Sequence, residues 1–220
     1  MNIFDIIGPI MIGPSSSHTA GAVRMGRVAM KILGEEAASA NIGLVGSFAM
    51  TYRGHGTDKA LIAGILGMKP CDERIRHSLE LAKEAGLSYM FSERKIPQVH
   101  PNTPIIDLIG VNGAQCSVEG ASIGGGNIQI TKLNGMDAAF NGATDTLIIA
   151  HHDRPGVINS VTGCLANLGV NIGNFRLSRQ RKSRLAIMTI ELDSSIEKPV
   201  VNELRDIKDI ISVVYMHPAH

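Results

Sequence analysis

The sequence predicts an α/β (α+β) chain of two domains, and three observations carry that expectation. Helical and strand-like periods alternate irregularly through the first two thirds of the chain, which speaks against an all-α or all-β architecture. A small, polar stretch, "NGMDAAFNGATDT", then interrupts the apolar patterning and puts a boundary near Gly142, dividing the chain into 1–142 and 143–220. Beyond it the segments run in the order βαββαβ, an open sheet with both helices on one face, for which about 70 residues suffice.

The elements follow in order. Ala22, Met25, Ala29, Ile32 and Leu33 recur at three- and four-residue steps until Gly34 stops them, so this segment reads as an amphipathic helix. Ile42 to Met50 is an apolar run of strand length. It breaks at Arg53-Gly54-His55-Gly56, and Thr57-Asp58 reads as the cap of a short helix through Leu66. Cys71 to Ala85 is a further helical pattern, with Ile75, Leu79 and Ala82 inward and Gly86 closing it. Leu87 to Ile96 reads as a strand, and "PQVHPNTP", broken by prolines, reads as loop. Ile105 to Val111, Gln115 to Ser122 and Asn127 to Leu133 are strand-like, the last ending in the turn pair Asn134-Gly135.

In the second domain Thr146 to Ala150 is an apolar strand. "HDRPGV" then turns into a helix with Pro155 at its first position and Val157, Val161, Leu165 and Leu168 inward. "VNIGNFRLSRQ" and "SRLAIMTIEL" form a hairpin-like pair, "KPVVNELRDI" a helix and "ISVVYM" a last strand. The open edges of so small a sheet favour pairing with a second copy.

One stretch asks for more than folding. In "GPSSSHTAG" four hydroxyls, Ser15, Ser16, Ser17 and Thr19, and one imidazole, His18, stand directly ahead of the first helix. A helix start needs one hydroxyl as a cap. It also gathers positive potential and free N–H donors that suit a carboxylate or phosphate. His18 adds a group able to move a proton near neutral pH. Capping loop and anion site are both compatible with these residues.

The bulk properties narrow the class. Lys and Arg number 21 against 20 Asp and Glu, so the basic excess of a nucleic-acid binder is missing. The N-terminal "MNIFDIIGPIMIG" is apolar, but it lacks a basic start, carries Asp5 and is broken by Gly8-Pro9, unlike an export signal. No run reaches the roughly 18 apolar residues of a membrane span. The expected location is cytoplasmic. Cys71, Cys116 and Cys164 are widely spaced and read as isolated buried thiols rather than a disulfide framework or a metal site.

The second domain resembles an ACT domain, on the topology and on "HHDRPGVINSVTGCLANLGVNIGNF", from about Thr146 to His217. The resemblance implies an amino-acid effector between paired domains, held at Asp153, Arg154, Pro155 and Gly156 and at Asn171 and Ile172, where the next strand starts. "GPSSSHTAG" followed by "TYRGHGTDKALIAGILG" resembles the beta subunits of the iron–sulfur-dependent L-serine dehydratases. In that family this region forms a domain like the allosteric substrate-binding domain of D-3-phosphoglycerate dehydrogenase.

The family resemblance implies that His18 and His55 lie on loops reaching a shared active site as its catalytic groups. Ser15, Ser16, Ser17, Thr19, Thr57 and Asp58 would surround the substrate, L-serine. It also implies a [4Fe–4S] cluster whose iron acts as Lewis acid on the serine hydroxyl, carried by a separate alpha subunit, with no metal ligands in this chain. Nothing marks a pyridoxal phosphate lysine. An alternative of another class is a free-standing regulatory module that binds serine or a related amino acid; two histidines flanking one site weigh against it. A self-sufficient hydrolase would need a nucleophile elbow, which the three serines lack.

Overall fold

The computed structural model describes residues 15–180 and 184–218. Gly13 and Pro14 of the loop, and the apolar N-terminal segment that reads as unlike an export signal, lie outside the described residues. The chain divides into two compact units, Met1–Gly135 and Met136–His220, and is mixed α/β in both.

The first unit opens with a π-helical turn, Ser17–Gly21, that runs straight into helix α1, Ala22–Leu33. Ala22, Met25, Ala29 and Leu33 are buried as their spacing predicts, and Gly34 ends the helix at φ 78°. Strand β1 (Ala37–Leu44) follows, then α2 (Ser47–His55), α3 (Thr57–Ile65), a 3₁₀ turn Glu73–His77, and α4 (Ser78–Glu84). Strands β2 (Ser88–Glu93), β3 (Pro104–Gly110), β4 (Gln115–Gly124) and β5 (Asn127–Leu133) follow, and the strands of this unit lie in the order β2-β1-β3-β4-β5. β2 pairs parallel to β1 and the other pairs are antiparallel. Ile42, Leu44, Ile106, Leu108, Val118 and Ile130 alternate onto one face and are buried there.

Helices α1 and α3 cross at two glycines. A Cβ on Gly26 would meet the Leu61 carbonyl, and one on Gly64 the Val23 carbonyl, both well inside contact distance. Backbone cannot yield as a side chain can, so Gly64→Ala is expected to destabilise by about 1–3 kcal/mol or more. Gly163 lies within a helix of the second unit with open space around it. There Gly→Ala is expected to raise stability by about 0.5–1 kcal/mol. Urea midpoints of the two variants check both signs.

The strand expected over Ile42 to Met50 is a correction. β1 ends at Leu44, and Gly46, at φ 55° and ψ −122°, turns the chain into α2. The apolar run belongs half to a strand and half to a helix face that buries Phe48 and leaves Met50 80% exposed. His55 therefore stands at the last position of a helix, not on a loop. Gly56, left-handed at φ 71°, ends α2 and takes the cap position of α3. Thr57-Asp58 is thus not the cap: Thr57 is the first helical residue, and Asp58 accepts a hydrogen bond from the Lys59 N–H at 2.8 Å.

The second unit begins with β6 (Met136–Phe140), after the Asn134-Gly135 turn. β7 (Asp145–His152), α5 (Val157–Asn167), β8 (Ile172–Gln180), β9 (Leu185–Leu192), α6 (Lys198–Asp206) and β10 (Ile210–Met216) follow. The sheet order is β10-β7-β9-β8, antiparallel throughout. Leu147, Ile149, Met188, Ile190 and Val213 of the strands pack with Val157, Val161, Leu165, Val201 and Leu204 of the helices. α5 starts one residue after Gly156, so Pro155 belongs to the preceding turn instead of the helix. Leu168, expected inward, is exposed because it follows the last helical residue.

Candidate active site

His18 is buried, 8% exposed, although it was expected on an open loop. The π-helical turn brings it against α2. Its Nδ1 lies 3.3 Å from Ser15 Oγ and its Nε2 lies 3.1 Å from Thr51 Oγ1, while Thr51 donates to the Ser47 carbonyl at 2.7 Å. The Phe48 ring packs at 5.0 Å between centroids, and His55 meets His18 edge-on at 4.8 Å. The structure thus brings together the two histidines that the sequence singled out. His55 itself is exposed.

The hydroxyls divide by role. Ser15 Oγ accepts from the His18 N–H at 3.4 Å, a weak capping contact, and no side chain caps the start of α1. Ser16 and Ser17 are half-buried and, among the described residues, their hydroxyls make no hydrogen bond. Thr19 is buried. Thr57 is fully buried with its Oγ1 unpartnered. A second support is absent from the sequence reading: Ser122 of β4 donates to the Ser17 carbonyl at 2.9 Å and packs on Gly21, whose hydrogen leaves the room for it. Ser122 is held in turn by the Asn102 carbonyl at 3.0 Å, and Asn102 Oδ1 is buried without a partner. Thr51, Ser122 and Asn102 carry no local signal, because each meets the turn only through the tertiary fold.

Burial pushes the His18 imidazole below its ordinary value, with His55 adding a smaller repulsion. Burial likewise raises Asp58, against the opposing pull of the Lys59 N–H and charge and of Arg53. For His18 the sign follows from linkage. The unfolded chain takes up a proton below the ordinary value of 6.5 before the folded one does, so stability present above that pH is lost as pH falls below it. His18→Gln is expected to flatten the decline in urea midpoint between pH 7.5 and pH 5.5.

In the second unit Asp153, Arg154, Pro155 and Gly156 line a recess of about 340 Å³ with His151, Ile158 and Arg179. Arg179 stands 3.5 Å from Asp153 and Arg154 3.4 Å from Asp209. Asn171 and Ile172 do not line it; Asn171 instead donates to Asp193.

The cysteines are a partial correction: Cys116 and Cys164 are buried, whereas Cys71 is exposed. Cys116 donates to the Ala29 carbonyl, and burial raises its thiol to about 11. Among the described residues no three His, Cys, Asp or Glu side chains come together as a metal-binding set. No helix among them is long and apolar enough to cross a membrane.

Comparison with known proteins gives two family matches. The model described as "Serine dehydratase beta chain" matches residues 2–132, and "AHAS small subunit-like ACT domain" matches residues 147–212. The chain is 42% identical over 212 residues to the probable L-serine dehydratase, beta chain, of Bacillus subtilis (strain 168), covering 96% of each. It is 37% identical to the L-serine dehydratase, beta chain, of Peptoniphilus asaccharolyticus, covering 97% of this chain and 96% of that one. Against the L-serine dehydratase of Streptomyces coelicolor the identity is 28%, and the match spans 84% of this chain but 44% of that longer protein.

Proposed function

The chain belongs to the serine dehydratase beta-chain family, and from that membership we propose how it serves a cytoplasmic L-serine dehydratase that turns L-serine into pyruvate and ammonia. The observation that carries the reading is the buried His18, hydrogen-bonded at both ring nitrogens and edge-on to His55.

The substrate carboxylate is held at the helix start, where N–H groups without intrahelical acceptors add to the Ser15, Ser16 and Ser17 hydroxyls. Thr19 and Thr57 shape the wall, and the unpartnered Thr57 Oγ1 is a hydrogen-bonding group awaiting a mate. Asp58 takes the substrate ammonium, a contact that offsets the cost of burying its carboxylate. His18, kept neutral by burial, accepts the Cα proton; His55 serves as the second proton-handling group at the open edge.

The [4Fe–4S] cluster belongs to an alpha partner chain. This chain's residues do not fit such a cluster: Cys71 is exposed, Cys116 and Cys164 are buried in separate units, and among the described residues none has a companion ligand set. The relatives' designation as beta chains supports a partner, as does the larger unmatched part of the Streptomyces coelicolor enzyme. The C-terminal domain, residues 143–220, pairs with another copy and takes an amino-acid effector at Asp153, Gly156, Asn171 and Ile172. The recess beside Gly156 supports the first two of these. A stand-alone regulatory module leaves the His18–His55 pair without a task. The test is pyruvate formation from L-serine by the two-chain enzyme with each histidine replaced.

A further inference from the structure

Thr51 offers one hydroxyl proton and stands between two acceptor-capable groups. Its contact with the Ser47 carbonyl, 2.7 Å, is the shorter, and a carbonyl can only accept, so the proton goes there. The Thr51 oxygen then faces His18 Nε2 at 3.1 Å with lone pairs alone, and Nε2 must carry the hydrogen. The ring's other nitrogen, Nδ1, keeps its lone pair and accepts from Ser15 Oγ–H at 3.3 Å. The reverse tautomer would set the Nε2 lone pair against those of Thr51, or pull Thr51 from the shorter bond, and would leave the Ser15 proton unplaced.

We infer that Thr51 is a positioning residue that locks His18 as the Nε2–H tautomer, so that Nδ1, facing the serine loop, is the atom that accepts the substrate proton. This rests on the reading of His18 as the base. In the step, Ser15 Oγ–H turns away and the Cα–H bond of serine breaks. The proton and the Nδ1 lone pair form a new N–H bond, and the released pair forms the Cα–Cβ double bond as the β-hydroxyl leaves. Captured proton and hydroxide together make the eliminated water. Throughout, Nε2–H stays on Thr51, a bond that strengthens when the ring becomes charged.

The test pairs spectroscopy with kinetics. In the ¹⁵N-labelled full chain, long-range ¹H–¹⁵N spectra should show His18 protonated at Nε2 alone. Thr51→Val should give a mixture of tautomers, and Thr51→Ser should restore the single form. In the two-chain enzyme Thr51→Val should lower kcat for L-serine roughly 10- to 100-fold with KM changed far less, the scale of a misplaced reacting group. Thr51→Ser should stay within about 2-fold of wild type. A wild-type His18 protonated at Nδ1, or a folded Thr51→Val enzyme with wild-type kcat, overturns the inference. Should Thr51→Val fail to fold, the wild-type spectrum and the Thr51→Ser enzyme decide. Wild-type turnover in His18→Asn would instead defeat the reading of His18 as the base, whatever the tautomer.

Discussion

Replacing His18 by Asn in the two-chain enzyme is expected to cut kcat/KM for L-serine by at least ~100-fold, the scale of a lost proton-transfer group. The same change should lower the melting temperature, because the ring it removes is buried against Phe48 and bonded at both nitrogens. Activity and stability therefore both fall at His18, and His55 separates them. His55 is exposed at the end of α2, so His55→Ala should leave the melting temperature nearly unchanged. It should still reduce turnover by a similar order if it handles a proton beside His18. Were His18→Asn to lose stability but keep near-wild-type kcat/KM, the residue would be a satisfied core histidine and nothing more.

How far the sequence could reach is set by the range of each signal. Helix α1 was legible from a 3.6-residue period ended by Gly34, and the second unit from a run of short segments in a known order; both are local patterns. The start of α2 was not, because Ser47 to Met50 continues the apolar run of β1 and only the unusual backbone at Gly46 separates them. That one misreading put His55 on a loop and hid Thr51 as a helical residue one turn after Ser47. The pairing of His18 with Thr51 joins residues 33 positions apart, and no spacing rule announces it. The same holds for Ser122 under Ser17, 105 positions away. The serine-rich turn was visible as an anomaly, too many hydroxyls for one cap: the side-chain hydroxyls of Ser16 and Ser17 make no hydrogen bond among the described residues. In the second unit Gly156 and Asp153 fall together because they are neighbours in one turn, whereas Asn171 follows its bond to Asp193, 22 positions away, which no local pattern announces.

The second large effect concerns the division of labour between chains. A [4Fe–4S] cluster needs several thiolates within bonding reach of one centre. Here one cysteine is exposed and two are buried, and the Cys116 thiol is pushed to about 11, far from the thiolate a metal requires. The chain alone is therefore expected to make no pyruvate from L-serine, and addition of the alpha partner should raise turnover from zero to that of the complete enzyme. The most direct measurement is anaerobic incubation of the purified chain with iron and sulfide, with and without the partner, followed by visible absorbance and pyruvate release. The account predicts a colourless, inactive chain that gains both the broad cluster absorbance and activity only when the partner is present. A stable cluster absorbance in this chain alone, lost when Cys71, Cys116 and Cys164 are all changed to Ser, would contradict it.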